Sequence, residues 1–93
     1  MSTTTVVNIH NAAPCDVKID RTTIFGNPFR IGPKQTREQA IARYRANFLI
    51  RVEKDEDFRE AVLSLCGKRL GCWCTPLPCH GDVIVEWLAE QFA

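Results

Sequence analysis

The sequence predicts a small α/β domain with a central sheet of three or four strands and about three helices, in the order β-β-α-α-β-α. Two observations lead to this prediction. Segments that are β-branched or alternate in polarity occur near the amino terminus and again just before a cysteine-rich stretch. Segments with apolar residues at helical spacing lie between and after them. The 93 residues fit a single domain that spans residues 1–93.

Three segments are predicted to form strands. The first, "TTTVVNIHN" (3–11), is rich in β-branched residues. In the second, "DVKIDR" (16–21), Val17 and Ile19 alternate with polar residues, which is typical of a half-buried strand. The third, "KRLGCWC" (68–74), is short and lies close to glycine and proline. We expect it to lie beside the first strand, with the helices packed on the sheet.

Three helices are predicted from their starts, ends and apolar faces. Thr36 and Gln39 form a capping box that begins the first helix. Asp55 begins the second and Gly67 ends it, and "HGDVIVEWLAEQFA" forms the third. The residues predicted to face the core are Ile41, Tyr44, Phe48, Val52, Phe58, Ala61, Val62, Leu65, Val83, Ile84, Trp87, Leu88 and Phe92. Trp73, from the third strand, and Trp87 are both expected to be largely buried.

Composition excludes some classes of function. Twelve Lys and Arg residues against eleven Asp and Glu residues give a net charge of +1, so no global electrostatic footprint for nucleic acid exists, although a local basic patch remains open. No apolar run is long enough to span a membrane. The amino terminus lacks the features of a signal peptide, which leads us to expect a cytoplasmic protein. Five cysteines in a reducing compartment favour thiols, a metal or catalysis over structural disulfides.

The stretch "LGCWCTPLPCHGDV" (70–83) holds residues that can act as nucleophiles, bases or metal ligands, and three interpretations of it stay open. Cys79 and His80, at the start of the third helix, could be a nucleophile and its base, facing a ligand. Cys72, Cys74, Cys79 and His80 could instead bind Zn²⁺, although adjacent Cys79 and His80 fit one tetrahedral ion poorly. The sulfur side chains could also simply fill a tight corner of the core.

The first interpretation makes a specific prediction about thiol acidity. Cys79 should have the lowest pKa of the five thiols, because free N–H groups at a helix start stabilise a thiolate and His80 is its neighbour.

A second candidate region is the loop "RTTIFGNPF" (21–29), which follows a predicted strand. Ligands of open α/β sheets gather beyond the carboxyl ends of strands. Gly26 allows close approach of a ligand, Asn27 offers donors and an acceptor, and Arg21 could pair with a phosphate or carboxylate. Phe25 and Phe29 are instead predicted to plug the core. If this loop and the segment that carries Cys79 and His80 share a site, the Asn27 side chain should lie near Cys79 and His80 on one concave surface.

Four arginines lie on or near the predicted first helix, and a charged row of this kind is usually a solvated helix face. Its members are Arg37, Arg43, Arg45 and Arg51. Arg37 lies in the first turn, where a cation gains little from the helix dipole, which makes a specific partner more plausible there.

Taken together, "DVKIDR", "FGNPF", "TREQAIARYR" and "GKRLGCWCTPLPCHGDVI" resemble the DUF4326 family of phages, bacteria and some eukaryotes, over roughly residues 16–90. The resemblance implies a set of signature residues but no activity. These are Arg21, Gly26, Asn27, Pro28, Arg37, Tyr44, Cys72, Cys74, Pro76, Cys79, His80, Gly81 and Asp82. The family's distribution implies a phage or mobile-element origin, which would place the protein in the cytoplasm of a host cell.

The leading hypothesis is a small ligand-binding or catalytic domain that acts on a nucleotide, nucleoside or modified base, without a cofactor. Its catalytic residues would be Cys79, His80 and Asn27, and its ligand-binding residues would be Arg21, Gly26, Arg37, Tyr44 and Asp82. The alternative is a zinc-stabilised interaction module without catalysis, such as a phage accessory protein that binds a host protein or nucleic acid.

Overall fold

The computed structural model describes residues 4–8, 15–20, 23–29, 32–72 and 79–92. Within these ranges it has a three-stranded sheet and three helices, in the predicted order. The elements are β1 (Thr5–Asn8), β2 (Val17–Lys18), α1 (Arg37–Lys54), α2 (Glu56–Leu63), β3 (Arg69–Cys72) and α3 (Gly81–Gln91). The predicted α/β class is therefore confirmed. No helix in the described ranges combines the length and apolar character that a bilayer span needs.

The strands form a parallel sheet in the order β1-β3-β2, with β3 at its centre. Thr5 pairs with Arg69 and Asn8 with Cys72, which confirms the predicted pairing of the first and third strands. Because all the strands are parallel, their carboxyl ends lie at one edge of the sheet. Three residues lie at that edge: Asn8 of β1, Ile19 after β2, and Cys72 of β3.

Burial and a polar contact explain the register of the short strand β2. The predicted alternation is present, since Ile19 is fully buried while Asp16 and Lys18 are exposed. At the opposite end from Ile19, the Asp16 carboxylate accepts hydrogen bonds from the main chain and the guanidinium of Arg69. The Arg69 hydrogen bonds lower the pKa of the Asp16 carboxyl. This ion pair fixes β2 against the amino end of β3.

The helix boundaries follow from local chemistry. The capping box is complete: the Thr36 hydroxyl accepts from the Gln39 N–H, and the Gln39 side chain accepts from the Thr36 N–H. The Asp55 carboxylate accepts from the Phe58 N–H at the start of α2. Gly67, with φ of 78°, turns the chain from α2 into β3 in a conformation that favours glycine.

The core between sheet and helices centres on Phe48, whose side chain is 1% exposed. Its ring packs against Tyr44, Phe58 and Trp87, with centroid distances of 5.7, 5.8 and 5.9 Å. Phe25, from the loop at residues 23–29, extends this group by packing on Phe58. The predicted role of Phe25 in plugging the core is therefore confirmed.

Three apolar predictions need adjustment. Trp87 packs on Phe48 but is only half-buried, and Trp73 lies outside the described residues. Phe29 is also half-buried. The prediction that Phe92 faces the core is wrong, because it is 54% exposed. Phe92 follows the last helical turn with φ of −114°, so helical spacing no longer directs its side chain towards the sheet.

Arg45 and Arg51, from the arginine row that was predicted to be solvated, contact other elements of the chain. Arg45 forms an ion pair with Glu86 of α3 at 2.6 Å, which raises the pKa of its guanidinium. The Arg51 guanidinium lies over the Phe58 ring, 3.7 Å from its centroid. Arg43 is exposed and Arg37 is half-buried.

Candidate functional site

The turn that starts α3 brings Cys79 and His80 to the carboxyl edge of the sheet. The Asp82 carboxylate accepts from the Cys79 N–H at 3.2 Å, and the Asp82 N–H donates to the Cys79 carbonyl at 3.0 Å. The Gly81 N–H donates to the Cys79 sulfur at 3.2 Å. The first N–H groups of the helix are thus engaged within the turn itself.

Gly81 allows this turn to lie directly on the sheet. A Cβ atom at this position would lie 2.7 Å from Ile19 Cδ1 and 3.0 Å from Val6 Cγ2. Real Cβ atoms essentially never come within 3.0 Å of another atom, so a larger residue would push α3 away from Ile19, which follows β2, and from Val6 of β1. The absence of a side chain therefore determines how close Cys79 comes to the end of β3.

Cys72 and Cys79 form a buried sulfur pair. Their Sγ atoms lie 3.3 Å apart, and the residues are 1% and 2% exposed. The Cys72 thiol and burial raise the pKa of the Cys79 thiol, outweighing the Gly81 N–H. The expectation that Cys79 has the most acidic thiol is therefore wrong. That expectation considered the N–H groups at the helix start and the adjacent His80, but not the burial of Cys79 or the neighbouring Cys72 sulfur.

His80 is held by the chain segment that follows β2. Its Nε2 atom lies 2.6 Å from the Ile19 carbonyl oxygen, and because only an N–H can bond to a carbonyl, Nε2 carries a proton. In the neutral ring, Nδ1 is therefore the nitrogen that accepts hydrogen bonds. The imidazole also packs against the Tyr44 ring in a T-shaped arrangement, with 5.0 Å between centroids.

The loop at residues 23–29 is anchored by Asn27. Its carboxamide oxygen accepts from the Phe29 N–H at 2.9 Å, and its nitrogen donates to the Ala40 carbonyl at 3.3 Å. The same side chain therefore shapes the loop and attaches it to α1. Gly26 lies half-buried in the same loop, and its N–H donates to the Thr23 carbonyl.

Tyr44 connects this loop with the Cys79–His80 turn. Its hydroxyl donates to the Phe25 carbonyl at 3.0 Å, while its ring contacts His80. The residue is 5% exposed, and burial raises its pKa. The two motifs that the sequence singled out thus meet through one buried side chain. Tyr44 positions both of them, and its predicted contact with a ligand stays a prediction.

The remaining predicted site residues are distributed more widely. Arg37 is half-buried in the first turn of α1, three residues before Ala40, whose carbonyl anchors Asn27. Asp82 is exposed, with its carboxylate on the Cys79 N–H. Arg21 and Cys74 lie outside the described residues. The catalytic and ligand-binding roles of all these residues stay predictions.

Within the described ranges, no group of three or more His, Cys, Asp or Glu side chains is placed to hold one metal ion. Of the proposed zinc ligands, Cys72 and Cys79 lie side by side. Nε2 of His80 is occupied by the Ile19 carbonyl. Ligation by His80 would therefore have to use Nδ1.

Sequence reasoning missed the main-chain partners of the site. The carbonyls of Ile19, Phe25 and Ala40 hold His80, Tyr44 and Asn27. A carbonyl has no residue-specific signature, so no sequence signal pointed to these contacts. The Cys72–Cys79 pair had a weak signal, since a strand end and a helix start that meet at one sheet edge can place their cysteines together.

The fold and this site define a class: a small α/β domain with a parallel sheet, whose candidate site lies at the carboxyl edge. A family model described as "Domain of unknown function (DUF4326)" matches residues 6–90, so the chain belongs to this family. The predicted resemblance is confirmed. The chain is also 41% identical over 78 residues to an enterobacteria phage T4 protein described as "Uncharacterized 12.4 kDa protein in nrdA-td intergenic region". The match covers 83% of this chain and 70% of the phage protein. No solved structure matches the chain.

Proposed function

We propose that this protein is a small ligand-binding domain for a nucleotide or nucleoside, with its site at the carboxyl edge of the parallel sheet. One observation carries the proposal. Tyr44 joins the loop at residues 23–29 to the Cys79–His80 turn, and His80 in turn bonds to the chain just after β2. Three separate segments are therefore fixed around one edge.

The position of this edge supports a small ligand. In parallel α/β sheets, ligands bind beyond the carboxyl ends of the strands, where connecting segments provide polar groups on a rigid frame. Here the frame is the buried centre of β3, from Leu70 to Cys72. His80 also lies at this edge, where the bond between Nε2 and the Ile19 carbonyl holds its ring in a fixed orientation.

The chemistry of Cys79 supports binding over covalent catalysis. A nucleophilic cysteine needs access and a thiolate, and Cys79 is 2% exposed with a raised pKa. We therefore assign to Cys79 the shape of the turn, through its contacts with Gly81 and Cys72. His80 and Arg37 are assigned the contacts with the ligand.

Arg37 is proposed to bind an anionic group such as a phosphate. A cation in the first turn of a helix is disfavoured by the helix dipole, so the dipole does not account for an arginine at this position. Its planar guanidinium can form two hydrogen bonds with a phosphate. A net charge of +1 supports a single small anion over a nucleic-acid backbone.

The test is calorimetric titration with nucleosides and their 5′-monophosphates. We expect at least one monophosphate to bind, and Arg37→Ala to weaken that binding by about tenfold or more, since a hydrogen-bonded charge pair is lost. The parent nucleoside should bind the variant and the natural protein equally. Arg43→Ala is the matched control, because Arg43 is an exposed arginine of the same helix. Absence of binding across the panel, or equal losses in both variants, would refute the proposal.

We also propose a cytoplasmic location in a host cell. Support comes from the five cysteines of the sequence, an odd number that suits thiols in a reducing compartment better than a disulfide framework, and from the phage origin of the relative.

A second candidate is the zinc-stabilised interaction module that binds a host protein or nucleic acid. The observation that favours it is the sulfur pair, because adjacent thiols with an N–H donor on one sulfur also suit thiolate ligands of zinc. Elemental analysis of the purified protein discriminates between the two. Binding without a metal predicts far less than one zinc per chain. Stoichiometric zinc that is lost in Cys72→Ser, but retained in Cys66→Ser, would establish the module instead.

A further inference from the structure

We propose that Cys72 and Cys79 are a peroxide-sensitive dithiol, which closes to an intramolecular disulfide and reopens with a thiol reductant. The inference goes beyond ligand binding and does not depend on it. It rests on two sulfur atoms that lie 3.3 Å apart, one at the end of β3 and one at the start of α3.

The geometry requires only a small movement. A disulfide bond is about 2.05 Å long, so sulfurs now 3.3 Å apart must approach by about 1.3 Å. Side-chain rotation can supply part of this movement. The turn can supply the rest, since α3 begins only two residues after Cys79. Because β3 and the start of α3 place the two cysteines side by side, the second thiol is next to the first at high effective concentration.

Burial selects the oxidant. The two cysteines are 1% and 2% exposed, so a bulky disulfide has poor access, whereas hydrogen peroxide is little larger than water. The attacking species is a thiolate, and because the Cys72 thiol and burial raise the pKa of Cys79, the thiolate is a minor species and the oxidation is expected to be slow. When one sulfur of the pair loses its proton, the other can donate its S–H to it across the 3.3 Å contact. If the negative charge is on Cys79, the Gly81 N–H also stabilises it.

The reaction balances in two steps. The thiolate attacks one peroxide oxygen, the O–O bond breaks, and the departing hydroxide takes up the proton that the thiol had released, which gives a sulfenic acid and water. The second thiol sulfur then attacks the sulfenic sulfur, the S–O bond breaks, and a second water leaves with the remaining proton. Two electrons pass from the sulfurs to the peroxide.

The test treats the reduced protein with hydrogen peroxide, blocks remaining thiols by alkylation and measures the mass. We expect the loss of two hydrogen atoms, and their return after treatment with a thiol reductant. Chymotryptic cleavage after Trp73 separates Cys72 from Cys79. Peptide fragmentation at Pro76 or Pro78 then shows whether Cys79 or Cys74 carries the bridge. The Cys72–Cys79 product should exceed any bridge to Cys66 by about tenfold or more, because of proximity.

Variants complete the test. Cys66→Ser and Cys74→Ser should retain the bridge, and Cys72→Ser and Cys79→Ser should lose it. Peptide mapping of the oxidised natural protein identifies the bridged cysteines even if a variant fails to fold. A bridge that requires Cys74, irreversible oxidation of single cysteines without a bridge, or thiols that resist peroxide, with or without bound zinc, would each overturn the proposal.

Discussion

Phe48→Ala is expected to lower the free energy of unfolding by about 3–5 kcal/mol, the range for removal of a buried aromatic ring. Phe48 is 1% exposed and contacts Tyr44, Phe58 and Trp87. Its removal leaves a cavity where α1, α2 and α3 meet. Because whole domains are stable by only about 5–15 kcal/mol, the variant should unfold at a much lower denaturant concentration. Urea titration followed by circular dichroism measures the change.

Leu49→Ala is the matched control for this prediction. Leu49 is the next residue of the same helix and is 48% exposed, so its truncation should change stability by less than about 1 kcal/mol. Similar losses in the two variants would mean that the ring of Phe48 does not lie at the centre of the core.

Gly81→Ala is expected to lower the free energy of unfolding by about 1–3 kcal/mol, although alanine is ordinarily the better helix residue. The added methyl group would lie 2.7 Å from Ile19 Cδ1 and 3.0 Å from Val6 Cγ2. Ile19 is fully buried and valine has few rotamers, so neither can easily move aside. Displacement of α3 should also weaken the Nε2 bond of His80 to the Ile19 carbonyl. The histidine resonances in NMR spectra at several pH values would report that change.

Gly32→Ala provides the corresponding control. A Cβ atom at Gly32 meets nothing within 4 Å, so this variant should be as stable as the natural protein within about 0.5 kcal/mol. If Gly81→Ala were equally neutral, α3 would not lie as close to the sheet as the structure has it.

Local features of the fold could be predicted from the sequence because they depend on neighbouring residues. The capping box of Thr36 and Gln39, the Asp55 cap and the glycine turn at Gly67 each involve groups within a few positions of one another. The predicted end of the second helix at Gly67 is wrong, because α2 ends at Leu63 and the residues up to Gly67 form turns. The pairing of β1 with β3 was also predicted, from the arrangement typical of a small α/β domain. Phe92 was misplaced because a helical pattern was extended past the end of the helix.

The site was less predictable because its properties depend on contacts between distant residues. The helix start and the adjacent His80 suggested an acidic Cys79 thiol, yet its pKa is raised by a neighbour seven positions away and by burial. Asn27 was foreseen as a polar group of the loop, but its attachment to the Ala40 carbonyl depends on tertiary structure. Tyr44 was predicted as a helix-face, family and ligand-binding residue, whereas the fold makes it the connection between two motifs.

The central position of β3 has a consequence for folding. Both amino-terminal strands pair with β3, and the pairing of Thr5 with Arg69 joins residues that are far apart in sequence. During synthesis, α1 and α2 can form from local interactions while β1 and β2 still lack their partner. Sheet formation has to wait until residue 69 and its neighbours leave the ribosome. Until then, two short strands have unpaired main-chain groups, and the Asp16 carboxylate awaits the arginine that will fix its register.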